Sequence, residues 1–244
     1  RQPALGYVLP YGLLCSVLIK ALEAAPGVQV LYGAKVSAVT SDRNHACAEF
    51  EQAGQAQIMT AALLVLAEGG QILEGIPNMR RHVREYLQGA VVARVEAEQP
   101  HHHVAYERFT SDGPVALLPD GKHGFALVWT SASETARVLC NLDEQEFLDR
   151  LGRHFGDRVG RFVSVTGRAV FPLKFSRTSP VTTHRMAVIG NAAQTLHPVA
   201  GQGFNLGLRD AWALARLVRH TPHQCLGDEE MTAKYCRQRQ VDRL

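Results

Sequence analysis

The chain has 244 residues, 46% of them hydrophobic and 20% charged, with a formal net charge of +3. That length and composition suit an ordinary globular protein with a good core, and so small a charge without a concentrated basic stripe argues against a nucleic-acid partner. The cysteines Cys15, Cys47, Cys140, Cys225 and Cys236 are odd in number and include no C-x-x-C pair, which argues against a disulfide framework or zinc ribbon and suits a reducing compartment.

Leu13 to Ala25 places Leu13, Leu14, Val17, Leu18, Ala21 and Leu22 on one helical face, and Pro26-Gly27 stops it. Extended segments are expected at 28–32, 35–40 and 46–51. The apolar run Ala61 to Ala67, closed by Glu68-Gly69-Gly70, reads as a fully buried strand. Strands are then expected at 91–95, 104–109, 115–118 and 125–130. Asp112-Gly113-Pro114 and Asp120-Gly121 separate the later ones as turns, which favours an antiparallel sheet. Asp143 and Glu146 open a helix carrying Phe147, Leu148, Leu151 and Phe155 on one side, with Gly156 beyond it. Another strand is expected at 162–171.

The last third returns to α/β style. Met186 to Ile189 reads as a short strand ending at Gly190. A helix over 204–219 has Phe204, Leu208, Ala211, Trp212, Ala215 and Val218 as its expected buried stripe. A final basic helix over 229–243 carries Lys234, Arg237, Arg239 and Arg243, a face open to solvent or to an anionic membrane surface. No apolar run approaches the ~20 residues that cross a bilayer. No signal peptide is read, and the opening Arg1 suggests a processed or truncated product.

The stretch that carries chemistry runs from Gly190 to Asp210, GNAAQTLHPVAGQGFNLGLRD. It is a strand end, a polar elbow and a helix start. Gly201 and Gly203 remove side chains where backbone passes close to something, and the first N–H groups of the next helix point into the same space. Together they suit an anion or an electron-rich carbonyl oxygen at a strand end. His101-His102-His103 do not suit a metal, because alternate strand residues face opposite ways. No G-x-S-x-G elbow is present for a serine hydrolase.

That stretch resembles the signature of the FAD-dependent aromatic hydroxylases, G-D-A-A-H-x-x-x-P-x-x-G-Q-G-x-N-x-x-x-x-D. Its wording is similar to the branch that hydroxylates polyprenyl phenols on the route to ubiquinone, the 2-polyprenyl-6-methoxyphenol hydroxylase type. Gly6-Tyr7-Val8, Tyr106-Glu107-Arg108-Phe109-Thr110, Gly113-Pro114, Ala116-Leu117-Leu118-Pro119 and Leu127-Val128-Trp129 also fit it. The resemblance implies an α/β chain, α+β overall. It would be the C-terminal part of a p-hydroxybenzoate-hydroxylase-like FAD-binding fold with a mostly antiparallel substrate sheet. The expected division is 1–75 and 181–244 in the FAD-binding domain and 76–180 in the substrate domain.

By the same resemblance, Gly190, Asn191 and Ala192 lie beside the FAD ribityl chain and pyrophosphate, with Asn191 replacing the usual aspartate. Pro198 lies on the substrate side of the flavin, with His197 next to it; both are candidate catalytic residues, His197 as a catalytic or substrate-orienting histidine or else a hydrogen-bonded structural one. Gly201, Gln202, Gly203, Phe204 and Asn205 bring backbone amides to the pyrophosphate and isoalloxazine. Ala67-Glu68-Gly69 stands where the family has A-D-G, so Glu68 and Gly69 either approach the cofactor or Glu68 is a surface carboxylate at a strand end.

The family's G-x-G-x-x-G turn is absent from the sequence, so the chain is expected to begin downstream of it. The implied activity is FAD-dependent monooxygenation of a polyprenyl phenol with NAD(P)H and O2. Expected partners are the polyprenyl phenol and O2, with a peripheral membrane contact and other ubiquinone-biosynthesis proteins as further candidates, and the expected place is the cytoplasm, with the inner face of a bacterial membrane as the alternative. Alternatives are a non-catalytic lipid- or partner-binding fragment, or a flavin hydroxylase of a smaller aromatic substrate.

Overall fold

A computed structural model describes residue 4, residues 6–198 and residues 201–240. The loop residues Val199 and Ala200, and the expected helical cation Arg243, lie outside the described residues. The chain divides into two compact units, one of residues up to Val30 with Tyr86–Leu173, the other of Leu31–Glu85 with Lys174 onward. Each has its own apolar core.

The first unit holds α1 (Tyr11–Ala24) and a sheet built from β6 (Tyr106–Thr110), β7 (Gly113–Asp120), β8 (Gly124–Ala132) and the greater part of β5 (Arg80–Ala97) and β9 (Phe162–Ser179), whose residues 80–85 and 174–179 belong to the second unit. The sheet order is β9-β5-β8-β7-β6, and the β5–β8, β8–β7 and β7–β6 pairs are antiparallel. The expected turn at Asp112-Gly113 is a tight hairpin in which the Thr110 hydroxyl donates to the Gly113 carbonyl at 2.7 Å. Alternation along β7 and β8 sends Val115, Leu117, Phe125, Leu127 and Trp129 into the core. Two helices join that core, α2 (Ser133–Asn141), which the sequence reading missed, and α3 (Glu144–Phe155). Asp143 caps α3 by accepting the Glu146 N–H at 2.8 Å. Phe147, Leu148, Leu151 and Phe155 are all buried, each worth about 1.5–3 kcal/mol of transfer free energy.

The second unit contains an antiparallel meander of β1 (Lys35–Ser41), β2 (Ala46–Gln52) and β3 (Gln55–Ala61). The sequence reading missed β3. Its hairpin turn, Ala53-Gly54, has both residues at positive φ, the twist that tight hairpins need, but alanine gives no signal for it. A second sheet has the order β10-β11-β4, with β4 (Leu64–Leu66), β10 (Thr182–Thr183) and β11 (Met186–Val188). Helices α4 (Gly190–Ala193), α5 (Gln202–His220) and α6 (Glu229–Gln240) complete it, with β12 (Gln194–Thr195) pairing with β9 near Ser176.

Three expectations need correction, and one apolar face forms without cover. Val28 to Tyr32 forms no strand; it has extended propensity but no strand pairs with it among the described residues. The 61–67 run is a strand only over Leu64–Leu66, and Val65 is 40% exposed, because only its neighbours face the core. The stripe of α1 forms, yet no α1 residue is buried; periodicity locates an apolar face without saying what covers it. On α5 the buried face is Asp210, Leu214 and Leu217, while Phe204, Leu208 and Trp212 stand 57%, 50% and 69% exposed. The helix carries two apolar stripes, and the ion pair described next decides which one turns inward.

Candidate functional site

β11 and β4 run parallel, with Met186, Ala187 and Val188 opposite Leu64, Val65 and Leu66. The Ile189 N–H then donates to the Leu66 carbonyl at 3.0 Å. The carboxyl ends of both strands therefore finish side by side, and that is where open α/β sheets collect ligands. The turn after β4 is Ala67-Glu68-Gly69-Gly70, and the turn after β11 is Gly190-Asn191. Two motifs far apart in sequence become neighbours.

Glu68 wraps its own turn. Its two carboxylate oxygens accept the Gly70 and Gln71 N–H groups at 2.9 and 2.7 Å. Gly69 and Gly70 both take φ near +92, a conformation that favours glycine. The Arg81 guanidinium lies where a Cβ on Gly70 would stand, and donates to the Ser176 hydroxyl at 3.0 Å. Glu68 is exposed; its oxygens organise the turn, and Gly69 leaves that turn open, with nothing within 4 Å of an added Cβ.

Gly190 is the elbow after β11, with φ +59. Its N–H donates at 3.0 Å to Asp210 Oδ2, and Asp210 Oδ1 accepts from Arg239 Nε at 2.7 Å. This ion pair is buried, with side-chain exposures of 6% for Arg239 and 3% for Asp210. It therefore ties α5, α6 and the elbow together. Arg239, grouped from sequence with the exposed cations of the last helix, instead belongs to the core. Gly207 lets α5 come close, since a Cβ there would sit 3.3 Å from Gly190 Cα. Asn191 is exposed, Ala192 is fully buried, and the Ala192 carbonyl accepts from the Thr178 hydroxyl at 2.6 Å.

His197 and Pro198 are half-buried. Burial holds the His197 pKa below its ordinary 6.5, so the ring is neutral at pH 7. The Pro198 carbonyl accepts the Gly201 N–H at 3.0 Å. Gly201, left-handed at φ +59, is the N-cap of α5 and supplies no side-chain cap; no acidic residue follows in the first turn. The opening amides of α5 therefore keep their hydrogen-bonding capacity and the positive end of its dipole. Gln202, Phe204 and Asn205 are exposed and Gly203 is half-buried. Among the described residues, nothing lies within 4 Å of a Cβ built on Gly190, Gly201 or Gly203.

This arrangement can hold an anionic or electron-rich group against bare backbone. FAD needs such features at its pyrophosphate and ring carbonyls, and the residues present fit it. The sequence reading missed the functions of Asp210 and Arg239. An acidic residue inside an apolar helix stripe was the available signal, because a buried carboxylate requires a partner.

A family model described as FAD binding domain matches residues 2–240. Ubiquinone hydroxylase UbiL of Rhodospirillum rubrum is 34% identical over 220 residues, 89% of this chain and 50% of that protein. The 3-demethoxyubiquinol 3-hydroxylase of Escherichia coli is 31% identical over 215 residues, 88% of this chain and 54% of that protein. The chain thus spans about half the length of these curated relatives. Among solved structures, a myxobacterial FAD-dependent chondrochloren halogenase superposes with a TM-score of 0.75 at 18% identity, over 96% of this chain and 59% of that one. A probable FAD-dependent monooxygenase from Pseudomonas aeruginosa gives 0.69 at 21% identity, over 93% and 64%. These structures share the mixed fold with its mostly antiparallel sheet. With nearly its whole described length matched, the chain belongs to the FAD binding domain family.

Proposed function

We propose that this chain forms the flavin-ring and substrate portion of an FAD-dependent aromatic-ring monooxygenase, one that hydroxylates a polyprenyl phenol in ubiquinone biosynthesis with NAD(P)H and O2. One observation carries the reading: the uncapped N-terminus of α5 and the Gly190 elbow are open glycine backbone in the second unit, and the elbow is fixed from behind by Asp210 and Arg239. The names of the relatives support the choice of substrate class. When bound, FAD would take electrons from NAD(P)H and activate O2 for transfer to an electron-rich ring.

The chain's own residues would do the rest. Amides from Gly201 to Asn205 would hold negative charge, and the α5 dipole would favour it. Asn191, exposed beside the elbow, can both donate and accept hydrogen bonds, so it can replace an aspartate there. Neutral His197 can accept a phenolic proton or orient the hydroxyl at a ring nitrogen. In the first unit, Val92, Ala116, Leu118 and Val128 are half-buried. By alternation they line the sheet face opposite the α2–α3 core, a wall suited to an isoprenoid tail.

The test is cofactor uptake followed by turnover. The purified chain is titrated with FAD and then supplied with NAD(P)H, O2 and a prenylated phenol, alone and together with the separately expressed other half of a full-length relative. Flavin absorbance, and a product heavier by one oxygen atom, are expected. Gly203→Val should weaken FAD binding at least tenfold, about 1.4 kcal/mol. A colourless protein under both conditions would refute the proposal.

A further inference from the structure

The first unit has a cleft of about 280 Å³ on the helix side of its sheet. All of its lining comes from one stretch of chain, residues 112–154. Trp129 and Ser131 stand two apart on β8, are 4% and 1% exposed, and face the same way as its floor. Thr135 and Leu139, four apart on α2, make one wall. Arg150, Arg153 and His154 on α3 make another, and Asp112 in the β6–β7 turn completes the lining. The polar groups are unevenly engaged. Arg150 is taken by Glu146 at 2.7 Å. Among the described residues, neither Arg153 nor Asp112 forms an ion pair. The Ser131 hydroxyl donates to the adjacent Ala132 carbonyl at 3.4 Å, beyond the usual length of such a bond. His154 Nε2 lies 3.0 Å from the Thr110 hydroxyl, and its ring is tilted 33° to Trp129 with centroids 5.1 Å apart. Burial holds the His154 pKa below 6.5, with Asp112 opposing and Arg108 assisting, so the ring adds no charge at pH 7.

We propose that this cleft binds a small aromatic carboxylic acid that carries a ring hydroxyl. Arg153 takes the carboxylate, because the planar guanidinium offers two parallel donors to it. The ring lies along Leu139 and the Trp129–His154 pair, where edge and face contacts to aromatic carbon are available. Asp112 accepts the ring hydroxyl and disfavours a second carboxylate in the ligand. Ser131 gives the buried floor a polar contact that its long bond to Ala132 leaves weakly used. A cleft of this volume holds one ring with a short side chain and is too small for a dinucleotide. It is also on the other side of the sheet from Val128 and the wall assigned to an isoprenoid tail, since Trp129 and Ser131 alternate with Val128 along β8. The cleft is therefore a second site, and it does not rest on the hydroxylase reading.

Titration calorimetry with p-hydroxyphenylacetate tests this. Binding with a Kd of about 1 mM or tighter is expected for a ligand of this size. The chain has two tryptophans, so in a Trp212→Phe background the ligand should quench the emission of Trp129, which places it in the cleft. The uncharged p-hydroxyphenylacetamide should bind at least ~tenfold more weakly, and Arg153→Gln should weaken the acid by a similar factor while leaving the amide unchanged. Asp112→Asn should reduce the preference for p-hydroxyphenylacetate over phenylacetate. Both positions are exposed, so circular dichroism of the variants should match the parent. No binding, equal affinity for acid and amide, or an Arg153→Gln variant that binds the acid like the parent would each overturn the site. The titration is repeated with the separately expressed other half of a full-length relative added. Binding that disappears on that addition would show the cleft to be a contact between the halves and would also overturn the site. No flavin enters the titration, so the hydroxylase reading can fail without changing this result.

Discussion

Replacing Asp210 with asparagine separates the stability of this site from its cofactor affinity. The carboxylate takes an Arg239 Nε–H at 2.7 Å on one oxygen and the Gly190 N–H at 3.0 Å on the other. Both side chains of the pair are almost fully buried. Asparagine keeps the shape but offers one acceptor and a donor, so one partner loses its bond and the guanidinium loses its counter-charge. Removing one member of a buried pair costs about 3–5 kcal/mol. The low end applies here, since one hydrogen bond survives. At roughly 2–4 °C per kcal/mol for a chain of this size, Tm should fall by about 6–12 °C. The double variant Asp210→Leu, Arg239→Leu removes both charges and should recover most of that loss. It still leaves the Gly190 N–H without its acceptor, at about 1–3 kcal/mol, so FAD should bind about tenfold more weakly despite the recovered Tm. Thermal unfolding by circular dichroism and quenching of FAD fluorescence measure the two quantities. A Tm for Asp210→Asn within roughly one degree of the parent would refute the reasoning.

Gly207→Val should weaken FAD binding more than it lowers Tm, because a Cβ there already stands 3.3 Å from Gly190 Cα and the extra methyls displace the elbow; an FAD titration beside a melting curve checks this. Gly227→Ala should cost about 3 kcal/mol, by urea unfolding, since φ is +76 and the new Cβ meets the Ala62 carbonyl and sits 3.1 Å from Arg185 Cα. Gly54→Ala, with φ +77 but nothing within 4 Å, should cost only about 1–2 kcal/mol. Burial is the main cause that holds the His154 pKa below 6.5. The unfolded chain therefore takes up this proton at a higher pH than the folded one. The stability is present above about pH 6.5 and declines as pH falls from there toward the folded pKa. Tm measured from about pH 7.5 down to 5.5 should drop less in His154→Gln than in the parent.

Local chemistry was legible wherever a residue reports on its own turn. Asp143 marked the start of α3, Gly156 its end, and the Gly190 and Gly201 elbows fell where the backbone takes a positive φ that favours glycine. The parallel pair β4–β11 was legible as two apolar runs, though not as partners, because pairing is a long-range choice. Helix faces were read less well. On α5 the large residues Phe204, Leu208 and Trp212 outweighed Asp210 in an apolar count, yet the buried carboxylate fixes the inward side. Arg239 was misread for the same reason: charge suggests solvent until a partner is known. Strand β3 escaped because Gln55 to Ala61 breaks its alternation at Ile58-Met59 and its turn begins with alanine at positive φ.

The three-residue ladder between β4 and β11 also has a kinetic consequence. Leu64–Leu66 emerges from the ribosome early, but its parallel partner Met186–Val188 follows only after the whole first-unit sheet has been synthesised. Until then the Glu68 turn has no neighbour, and the apolar strand beside it has an unpaired edge. At about 5–20 residues per second, that interval lasts on the order of ten seconds, long enough for a chaperone to matter. Under the proposed function, flavin capture would then wait for this ladder to close and would come late in the life of each molecule.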